Sequence, residues 1–582
     1  MKSSKIIQYF TLLLFSAIFI SSCSCGNAEL DSAQEYMADG TYEGIGEGRG
    51  GMIKIAIMVK DHKITDAKVI SQSESSFAQE SLYAMIDRIM EAQKTEGVDV
   101  ISGATLTTSG VLQAMTMAID AAYGRKQKST EYTDTECDVV VVGGGGAGLS
   151  TAIEATSLGV KVIVLEKRSY LGGNTNSSTG GINAAETRFQ EAKGIHDSKD
   201  VFFNDIMTGG HNINDSVLAH TLVDNAPQTL DWLSEFGADL TDVGMMAGST
   251  NPRTHRPTNG AAIGPHLMKV LINKSKEMNI DIRTGNTVTD ILRANDGSAC
   301  GVNIKTDDGK TYVIRAKAVV IATGGFGANL SMVTSYRNDL EGFATVNHKG
   351  ATGDAFEWVK KFNAHLYQME QIQIHPTVEA HNTLLVTEAV RGNGAILVNR
   401  DGKRFANELS TRDKLSAAIL AQEGNSAFIL FDSGIRKSLA AIETYASQGL
   451  LIEGNTLDEL SRKIGTDADV LKATVETYNK YQQAGNDPDF ERKKIEMPRP
   501  LTDAPYYCIE VKPAIHHTMG GIHINADANV LTPDGKPVPG LFAAGEVTGG
   551  VHGGNRLGGN GVADIVVFGK IAGGAAARWV KK

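Results

Sequence analysis

The sequence predicts an α/β protein with a large C-terminal region built on a parallel sheet and a smaller α+β domain before it. Residues 139–142 are a continuous apolar run, as expected for a strand buried on both faces of a parallel sheet. Residues 40–60 instead alternate between apolar and polar positions, which is typical of strands with one solvated face. A length of 582 residues is too great for one core and indicates about three domains.

The small domain is predicted to cover residues 40–125. Residues 40–60 form two strands and residues 63–71 a third, because apolar side chains recur with a period of two. Residues 77–91 and 111–123 have apolar side chains at helical spacing. A polar tether over residues 23–39 precedes this domain, and a charged linker over residues 126–136 follows it.

A glycine motif follows the first strand of the large region directly. Gly143, Gly145 and Gly148 fit the pattern GxGxxG, and residues 149–158 continue as a helix. The next strand, residues 161–165, ends in Glu166. This order of strand, glycine turn, helix, strand and acidic residue is that of a Rossmann-like dinucleotide-binding fold, in which the glycines admit a pyrophosphate and the carboxylate binds a ribose.

Three further glycine-rich segments favour FAD over a nicotinamide dinucleotide. They lie at residues 171–182, 322–325 and 541–546. A long, extended FAD needs contacts that are dispersed through the chain, whereas a nicotinamide cofactor would need only the first glycine motif.

Charge and cysteine content exclude some classes of function. With 56 basic and 67 acidic residues the formal net charge is −11, which argues against a nucleic-acid partner. An anionic substrate would therefore need a local cluster of arginines and histidines. The five cysteines form neither a CxxCH haem site nor a paired CxxC site, so we predict no metal.

The N-terminus has the pattern of an export signal. Lys2 and Lys5 precede an apolar stretch that is too short to span a bilayer and that ends at Cys23. Residues 1–22 resemble a bacterial lipoprotein signal peptide, which implies acylation of Cys23 and a periplasmic or cell-surface location. A plain secretory signal cut nearby is the alternative.

Cationic side chains are concentrated in two parts of the chain. The first lies within residues 373–413 and contains His375, Thr387, Glu388, Arg391 and Arg412; the second lies within residues 516–560 and contains His516, His517 and Arg556. Arginine forks and imidazoles hold carboxylates well, and two carboxylates would need two such clusters.

From residue 138 onward, these motifs resemble the soluble fumarate reductases of the flavocytochrome c type and the flavoprotein subunits of succinate dehydrogenase. The resemblance implies a Rossmann-like FAD-binding domain (residues 137–370 and 516–582) with an inserted α+β clamp domain (371–515). It implies FAD contacts from a set of dispersed residues: Gly143, Gly145, Ala147, Gly148, Glu166, Asn174, Thr175, Gly180, Gly181, Asp354, His517, Glu546 and Gly561.

The same resemblance implies roles at the substrate. His375 and Thr387 would hold one carboxylate of fumarate, and His516 with Arg556 would hold the other. Arg412 would donate the proton, resupplied through Glu388 and Arg391; a purely electrostatic role for Arg412 is the alternative, since arginine is a weak acid.

Electrons would reach this chain by a route without haem. Residues 99–110 resemble the flavinylation motif of FMN-binding domains, in which Thr105 would carry FMN through a phosphoester bond formed by a flavin transferase. A helix N-terminus suits a phosphate. The route would run from an external donor, a quinol-linked system or a cytochrome, through FMN to FAD, as in anaerobic respiration.

Two alternatives to an exported fumarate reductase stay open. The first is a reductase of another α,β-unsaturated acid of the urocanate, methacrylate or cinnamate type. In the urocanate enzymes the residues matching His375 and Thr387 are replaced, which favours a dicarboxylate here. The second is a non-catalytic flavin electron carrier anchored as a lipoprotein.

Overall fold

The computed structural model describes residues 36–48, 51–72, 74, 76–101, 104–125 and 132–582, without the side chains of residues 76, 77, 105 and 106. The signal peptide predicted over residues 1–22, the acylation site Cys23, most of the tether and residues 126–131 of the linker lie outside the described residues. Across the described ranges, no helix combines the length and hydrophobicity needed to cross a membrane.

The small domain is an antiparallel sheet covered by two helices. Its strands are β1 (Gly40–Glu47), β2 (Met52–Lys60) and β3 (Lys63–Ser71), and its helices are α1 (Ser76–Ala92) and α2 (Thr105–Ala122). The three predicted strands are confirmed. The second helix begins at Thr105, six residues before the predicted start at residue 111, because its first turns bury threonines and a glycine and so carry no apolar period.

Helix α2 lies directly on strand β1, and two glycines allow this close contact. A Cβ atom at Gly44 would lie 1.9 Å from the carbonyl oxygen of Ala114, and one at Gly46 would lie 2.0 Å from that of Gly110. Any larger residue would push the helix off the strand. The N-terminus of α2 is thereby fixed relative to the end of β1.

The large region is organised around an eight-stranded mixed sheet. The strands of this sheet are β4 (Thr135–Val142), β5 (Val162–Leu165), β9 (Asp281–Arg283), β10 (Asn286–Arg293), β11 (Ala299–Thr306), β12 (Thr311–Ile321), β20 (Asn529–Leu531) and β21 (Pro537–Ala543). Strand β4 pairs in parallel with β5 and with β12, and β5 pairs in parallel with β9. The buried parallel strand predicted from residues 139–142 is confirmed, and these residues are at most 4% exposed.

Helices cover this sheet, and two small sheets lie beside it. The helices are α3 (Gly146–Ser157), α4 (Gly173–Asn176), α5 (Arg188–Glu191), α6 (Lys199–Gly209), α7 (Ser216–Glu235), α8 (Ile263–Glu277), α9 (Leu330–Tyr336), α10 (Ala355–Trp358) and α17 (Asn560–Val580). The small sheets comprise β6 (Ile182–Asn183), β7 (Asp242–Gly244) and β8 (Thr254–Arg256), and β13 (Leu366–Tyr367), β19 (Gly521–His523) and β22 (Thr548–Gly549).

The inserted region has a five-stranded antiparallel sheet of its own. Its strands are β14 (Ile372–Glu379), β15 (Ile396–Val398), β16 (Ala427–Asp432), β17 (Ile452–Gly454) and β18 (Tyr506–Thr518). Its helices are α11 (Ala389–Gly392), α12 (Arg412–Leu420), α13 (Ser433–Ser438), α14 (Ala441–Ser447), α15 (Leu457–Ile464) and α16 (Ala468–Ala484).

The described residues bury their apolar side chains in three separate cores. One lies in the small domain, one around the eight-stranded sheet and one in the inserted region. Strands β14 and β18 connect the last two, because Ile372 and Ile515 pack in the second core while Val511 packs in the third. The fold class is confirmed; the domain boundaries given above stay a prediction.

Candidate active site

The glycine turn after β4 forms one end of a buried slot. Gly143 has φ +114°, and a Cβ atom there would lie 2.2 Å from the carbonyl oxygen of Ala322. Gly145 caps helix α3 at the floor of the slot, whereas Gly148 packs against the carbonyl oxygen of Gly143, where a Cβ would lie 1.9 Å away. The helix N-terminus can therefore receive an anionic group at close range.

Glu166 lies where the sequence predicts a ribose contact. Its carboxylate accepts hydrogen bonds from the backbone N–H of Gly144 at 2.8 Å and from that of Arg168 at 2.8 Å. It lines the slot together with Ala147, Asn174, Thr175, Asp354 and Glu546. Burial raises the pKa of Glu166, although these two N–H groups act against the rise.

A second, larger cavity of about 840 Å³ continues from this slot. Asn174, Thr175, His348 and Glu546 line both cavities. Gly180, Gly181, His517 and Gly561 line the larger one. The two together form one elongated space that runs from the glycine turn to the cationic residues. An extended dinucleotide such as FAD fits this shape, with its pyrophosphate at helix α3.

His375 and Thr387, the first predicted carboxylate pair, lie side by side in the large cavity's wall. His375 is on β14, and its Nδ1 accepts a hydrogen bond from the backbone N–H of Thr377 at 3.2 Å. Burial and the neighbouring Arg412 hold the pKa of His375 well below its ordinary value. The ring is therefore neutral, carries its proton on Nε2 and can donate it to an anion.

His516 and Arg556, the second predicted pair, line the same cavity. The ring centroids of His375 and His516 are 5.1 Å apart. Nδ1 of His516 and Nε of Arg556 are buried and make no hydrogen bond to any described residue. Such groups are costly in a folded protein without a partner, so both indicate a polar ligand at this position.

Arg412 lies at the start of α12 between the two pairs. Its Nη1 donates to Oε1 of Gln373 at 3.0 Å, and its Nε donates to Oε2 of Glu388 at 3.1 Å. Glu388 in turn lies 3.9 Å from Nη2 of Arg391. The structure thus brings the three predicted catalytic residues together: Arg412 is hydrogen-bonded to Glu388, and Glu388 is ion-paired with Arg391.

The charges of this cluster are set by its burial. Although burial opposes ionisation, Arg412 and Arg391 keep the pKa of Glu388 below its ordinary value. Burial lowers the pKa of Arg391 to about 10, and burial together with Arg412 lowers that of Arg556 to about 9. At neutral pH the guanidinium groups of Arg391, Arg412 and Arg556 and the carboxylate of Glu388 together carry a net charge of +2, and all but Arg391 line the large cavity.

A buried ionic network holds Arg391 in place. Its Nη1 donates to the backbone carbonyl of Glu408, and its own carbonyl accepts from Nη2 of Arg492 at 2.6 Å. The carboxylate of Glu408 binds both Arg404 at 2.8 Å and Arg492 at 3.1 Å. Asp487 completes the network through Arg404 at 2.9 Å.

The sequence did not identify two residues that hold this site together. Gln373 accepts from Arg412 and donates to the carbonyl of Arg556 at 2.8 Å, so it connects Arg412 to the second carboxylate pair. It lies two residues before His375 on β14, and the strand period could have revealed it. Tyr445 accepts from the backbone N–H of Thr387 at 2.9 Å; nothing in the sequence relates residues so far apart.

The chain is similar to known flavoproteins. Residues 138–562 match the FAD-binding domain family. The fumarate reductase (cytochrome) of Shewanella frigidimarina is 47% identical over 445 residues, covering 76% of this chain and 78% of that protein. The chain belongs to the fumarate reductase family of flavoproteins. It is an FAD-dependent oxidoreductase acting on a CH–CH bond.

Members of the fumarate reductase family with other substrates and domains are also similar to it. A solved structure of the open conformation of a flavocytochrome c3 fumarate reductase matches with a TM-score of 0.65 and 41% identity, covering 78% of this chain and 80% of that one. The urocanate reductase of Eggerthella lenta is 32% identical over 560 residues, covering 92% of each protein. Residues 48–120 match the FMN-binding domain family, so the predictions of FAD and FMN as cofactors are confirmed.

Proposed function

We propose that this flavoprotein reduces fumarate to succinate. The observation that carries the proposal is a buried cluster with a net charge of +2 beside one cavity, which both predicted carboxylate-binding pairs line. A dicarboxylate supplies two negative charges at two ends, so it neutralises the cluster. The 47% identical fumarate reductase of Shewanella frigidimarina supports the same substrate.

The reaction adds two electrons and two protons across the carbon–carbon double bond. When bound, reduced FAD supplies the electrons and one hydrogen as hydride. Arg556 and His516 stabilise the negative charge that develops on the carboxylate beside the receiving carbon. Arg412 donates the second hydrogen to the neighbouring carbon as a proton, and Glu388 and Arg391 return a proton to it.

Arg412 can serve as the acid here because a proton relay lies next to it. Its Nε donates to Glu388, and Glu388 is ion-paired with Arg391. Once Arg412 has given its proton to the substrate, Glu388 passes a proton from Arg391 to it. The proton therefore has a short path that needs no water inside the cavity.

FMN bound to the small domain would deliver the electrons. The large cavity extends from Arg412 to residues of the small domain, including Ala104 and Thr107 at the start of α2. Thr105, the proposed attachment point, is the first residue of that helix. We propose a phosphoester between Thr105 and FMN, made by a flavin transferase, and an external quinol-linked or cytochrome donor.

The proposal includes export to the periplasm or cell surface and a lipid anchor at Cys23. It rests on the pattern of residues 1–23 alone. Growth with a labelled fatty acid, followed by purification of the wild type and of Cys23→Ser, tests it: label is expected in the wild type only. Label in both, or in neither, would remove the anchor from the proposal.

Anaerobic turnover with reduced methyl viologen tests the activity. Fumarate, urocanate and methacrylate are compared for the wild type, Arg412→Ala and the control Arg400→Ala. Arg400 is in the same inserted region but binds Glu510 at 2.5 Å at the surface, away from the cavity. Rapid turnover of fumarate that only Arg412→Ala abolishes is expected.

Other outcomes point to the alternatives. If urocanate or methacrylate turns over and fumarate does not, the enzyme reduces another unsaturated acid, and His375 and Thr387 are not a carboxylate pair. The 32% identical urocanate reductase makes this the second candidate. If the flavins are reduced but no acid is, the protein is an electron carrier.

A further inference from the structure

An ion pair joins the small domain to the FAD-binding region. Glu47, the last residue of β1, forms an ion pair with Arg168. Its other carboxylate oxygen accepts from the hydroxyl of Ser169 at 3.1 Å. The side chains of Glu47 and Arg168 are only 12% and 22% exposed. This carboxylate therefore lies between two domains rather than in solvent.

Helix α2 shares this contact. Oε1 of Gln113 accepts from the backbone N–H of Glu47 at 3.0 Å and from the hydroxyl of Ser169 at 3.4 Å. Gln113 is on the same helix whose first residue is Thr105. A displacement at Glu47 would consequently move the helix that is proposed to carry FMN.

On the opposite side, residues 168–170 connect to the FAD slot. The backbone N–H of Arg168 donates to Glu166, the predicted ribose contact. The hydroxyl of Tyr170 lies 2.8 Å from Nε2 of His348, which lines both cavities. Three consecutive residues thus touch the small domain at one end and the walls of the FAD cavities at the other.

We infer that Glu47 and Arg168 form an ionic latch that docks the small domain on the FAD-binding domain, and that electrons pass from FMN to FAD in this docked arrangement. The inference rests on the proposed FMN-to-FAD route. Residues of both domains form the wall of the large cavity beside the start of α2. Glu74, Ala78, Ala104 and Thr107 come from the small domain, and Arg168 and Tyr170 come from the FAD-binding domain.

The test uses the full chain carrying both flavins. Glu47→Arg places two like charges at the latch, and Glu47→Arg combined with Arg168→Glu restores an opposite pair. Glu43→Arg is the matched control: it makes the same charge change on the same strand, where Glu43 pairs only with Lys54 of the small domain and is half exposed. Small-angle scattering reports docking through the radius of gyration, and methyl viologen turnover of fumarate reports electron transfer.

The latch predicts a larger radius of gyration for Glu47→Arg, an unchanged one for Glu43→Arg and at least partial recovery in the double variant. Because the variant loses a charged hydrogen-bonded pair and places like charges together, the FMN-dependent part of turnover should fall about tenfold or more in Glu47→Arg. That part is measured as the difference between the wild type and Thr105→Ala. Glu47→Arg added to Thr105→Ala should cause no further loss.

The outcomes separate the latch from the route. An unchanged radius of gyration in Glu47→Arg, or equal expansion in Glu43→Arg, overturns the latch. If Glu47→Arg expands the protein while Thr105→Ala alone leaves turnover unchanged, the latch stands as a docking contact, and the proposed FMN route and the claim that docking controls electron transfer both fail.

Discussion

Replacing Tyr445 by Phe should weaken fumarate binding although no atom of Tyr445 is assigned to the substrate. The hydroxyl accepts the backbone N–H of Thr387 at 2.9 Å and fixes one half of the first carboxylate pair. Burial raises the pKa of Tyr445 to about 12, so the group stays a neutral phenol. Its loss leaves the N–H of Thr387 buried without an acceptor.

The size of the effect follows from that single bond. An unsatisfied buried N–H costs about 1–3 kcal/mol, which corresponds to about 5- to 150-fold in an equilibrium constant. In the variant, the backbone around Thr387 can move so that this N–H reaches water. Part of the binding free energy of fumarate is then used to return Thr387 to its binding position. We therefore expect KM to rise about tenfold or more while kcat changes little, because Thr387 is assigned to binding a carboxylate and not to proton transfer.

Steady-state kinetics and a matched variant provide the check. Tyr507 is also a buried tyrosine of the inserted region, but its hydroxyl accepts from Arg436 at 3.1 Å, and that guanidinium keeps a second partner in Glu443. Tyr507→Phe should leave KM unchanged. An equal KM for both variants and the wild type would refute the role of Tyr445, and a fall in kcat alone would place it in the chemical step instead.

Three further changes should have effects of different kinds. Glu388→Gln should lower kcat by about 10²–10⁴ without raising KM for fumarate, because it interrupts the relay between Arg391 and Arg412 and adds to the positive charge. Glu408→Gln should lower the free energy of unfolding by about 3–5 kcal/mol, since it leaves buried arginines unpaired. Burial lowers the pKa of His255 to about 4, so acid should destabilise the fold by about 3 kcal/mol through this residue.

The sign of the last effect comes from the unfolded state. The pKa of histidine in an unfolded chain is about 6.5. Between about pH 6.5 and pH 4 the unfolded chain therefore binds a proton at His255, whereas the folded protein does not. Stability should fall as the pH drops from about 6.5 to about 4, and His255→Gln should flatten this part of the curve in urea titrations. The same slope in the variant would assign the loss to other groups.

A surface carboxylate, Glu443, serves as the control for Glu408→Gln. Glu443→Gln removes an exposed partner of Arg436, and such pairs are worth at most about 1 kcal/mol. A similarly small loss in Glu408→Gln would mean that its arginines find other partners. Unchanged kcat in Glu388→Gln would leave Arg412 with an electrostatic role only.

The sequence by itself determined the fold class and the two flavins. The run at residues 139–142, the glycine turn at Gly143 and the acidic strand end at Glu166 follow one another within about thirty residues, so local order alone specifies their arrangement. Helix α2 shows the limit of periodicity: its first turns bury threonines and a glycine instead of large apolar side chains, and the predicted start came six residues late.

Tertiary structure decided how the site is assembled. Candidate residues such as His375 and Arg556 could be chosen from the sequence, but their distances depend on β14 meeting β18 and on the loop before α17. Gln373, Tyr445 and the network around Glu408 act through partners far away in the chain. The contact between Glu47 and Arg168 joins two domains. Long-range packing creates each of these contacts, and no local pattern encodes which surfaces meet.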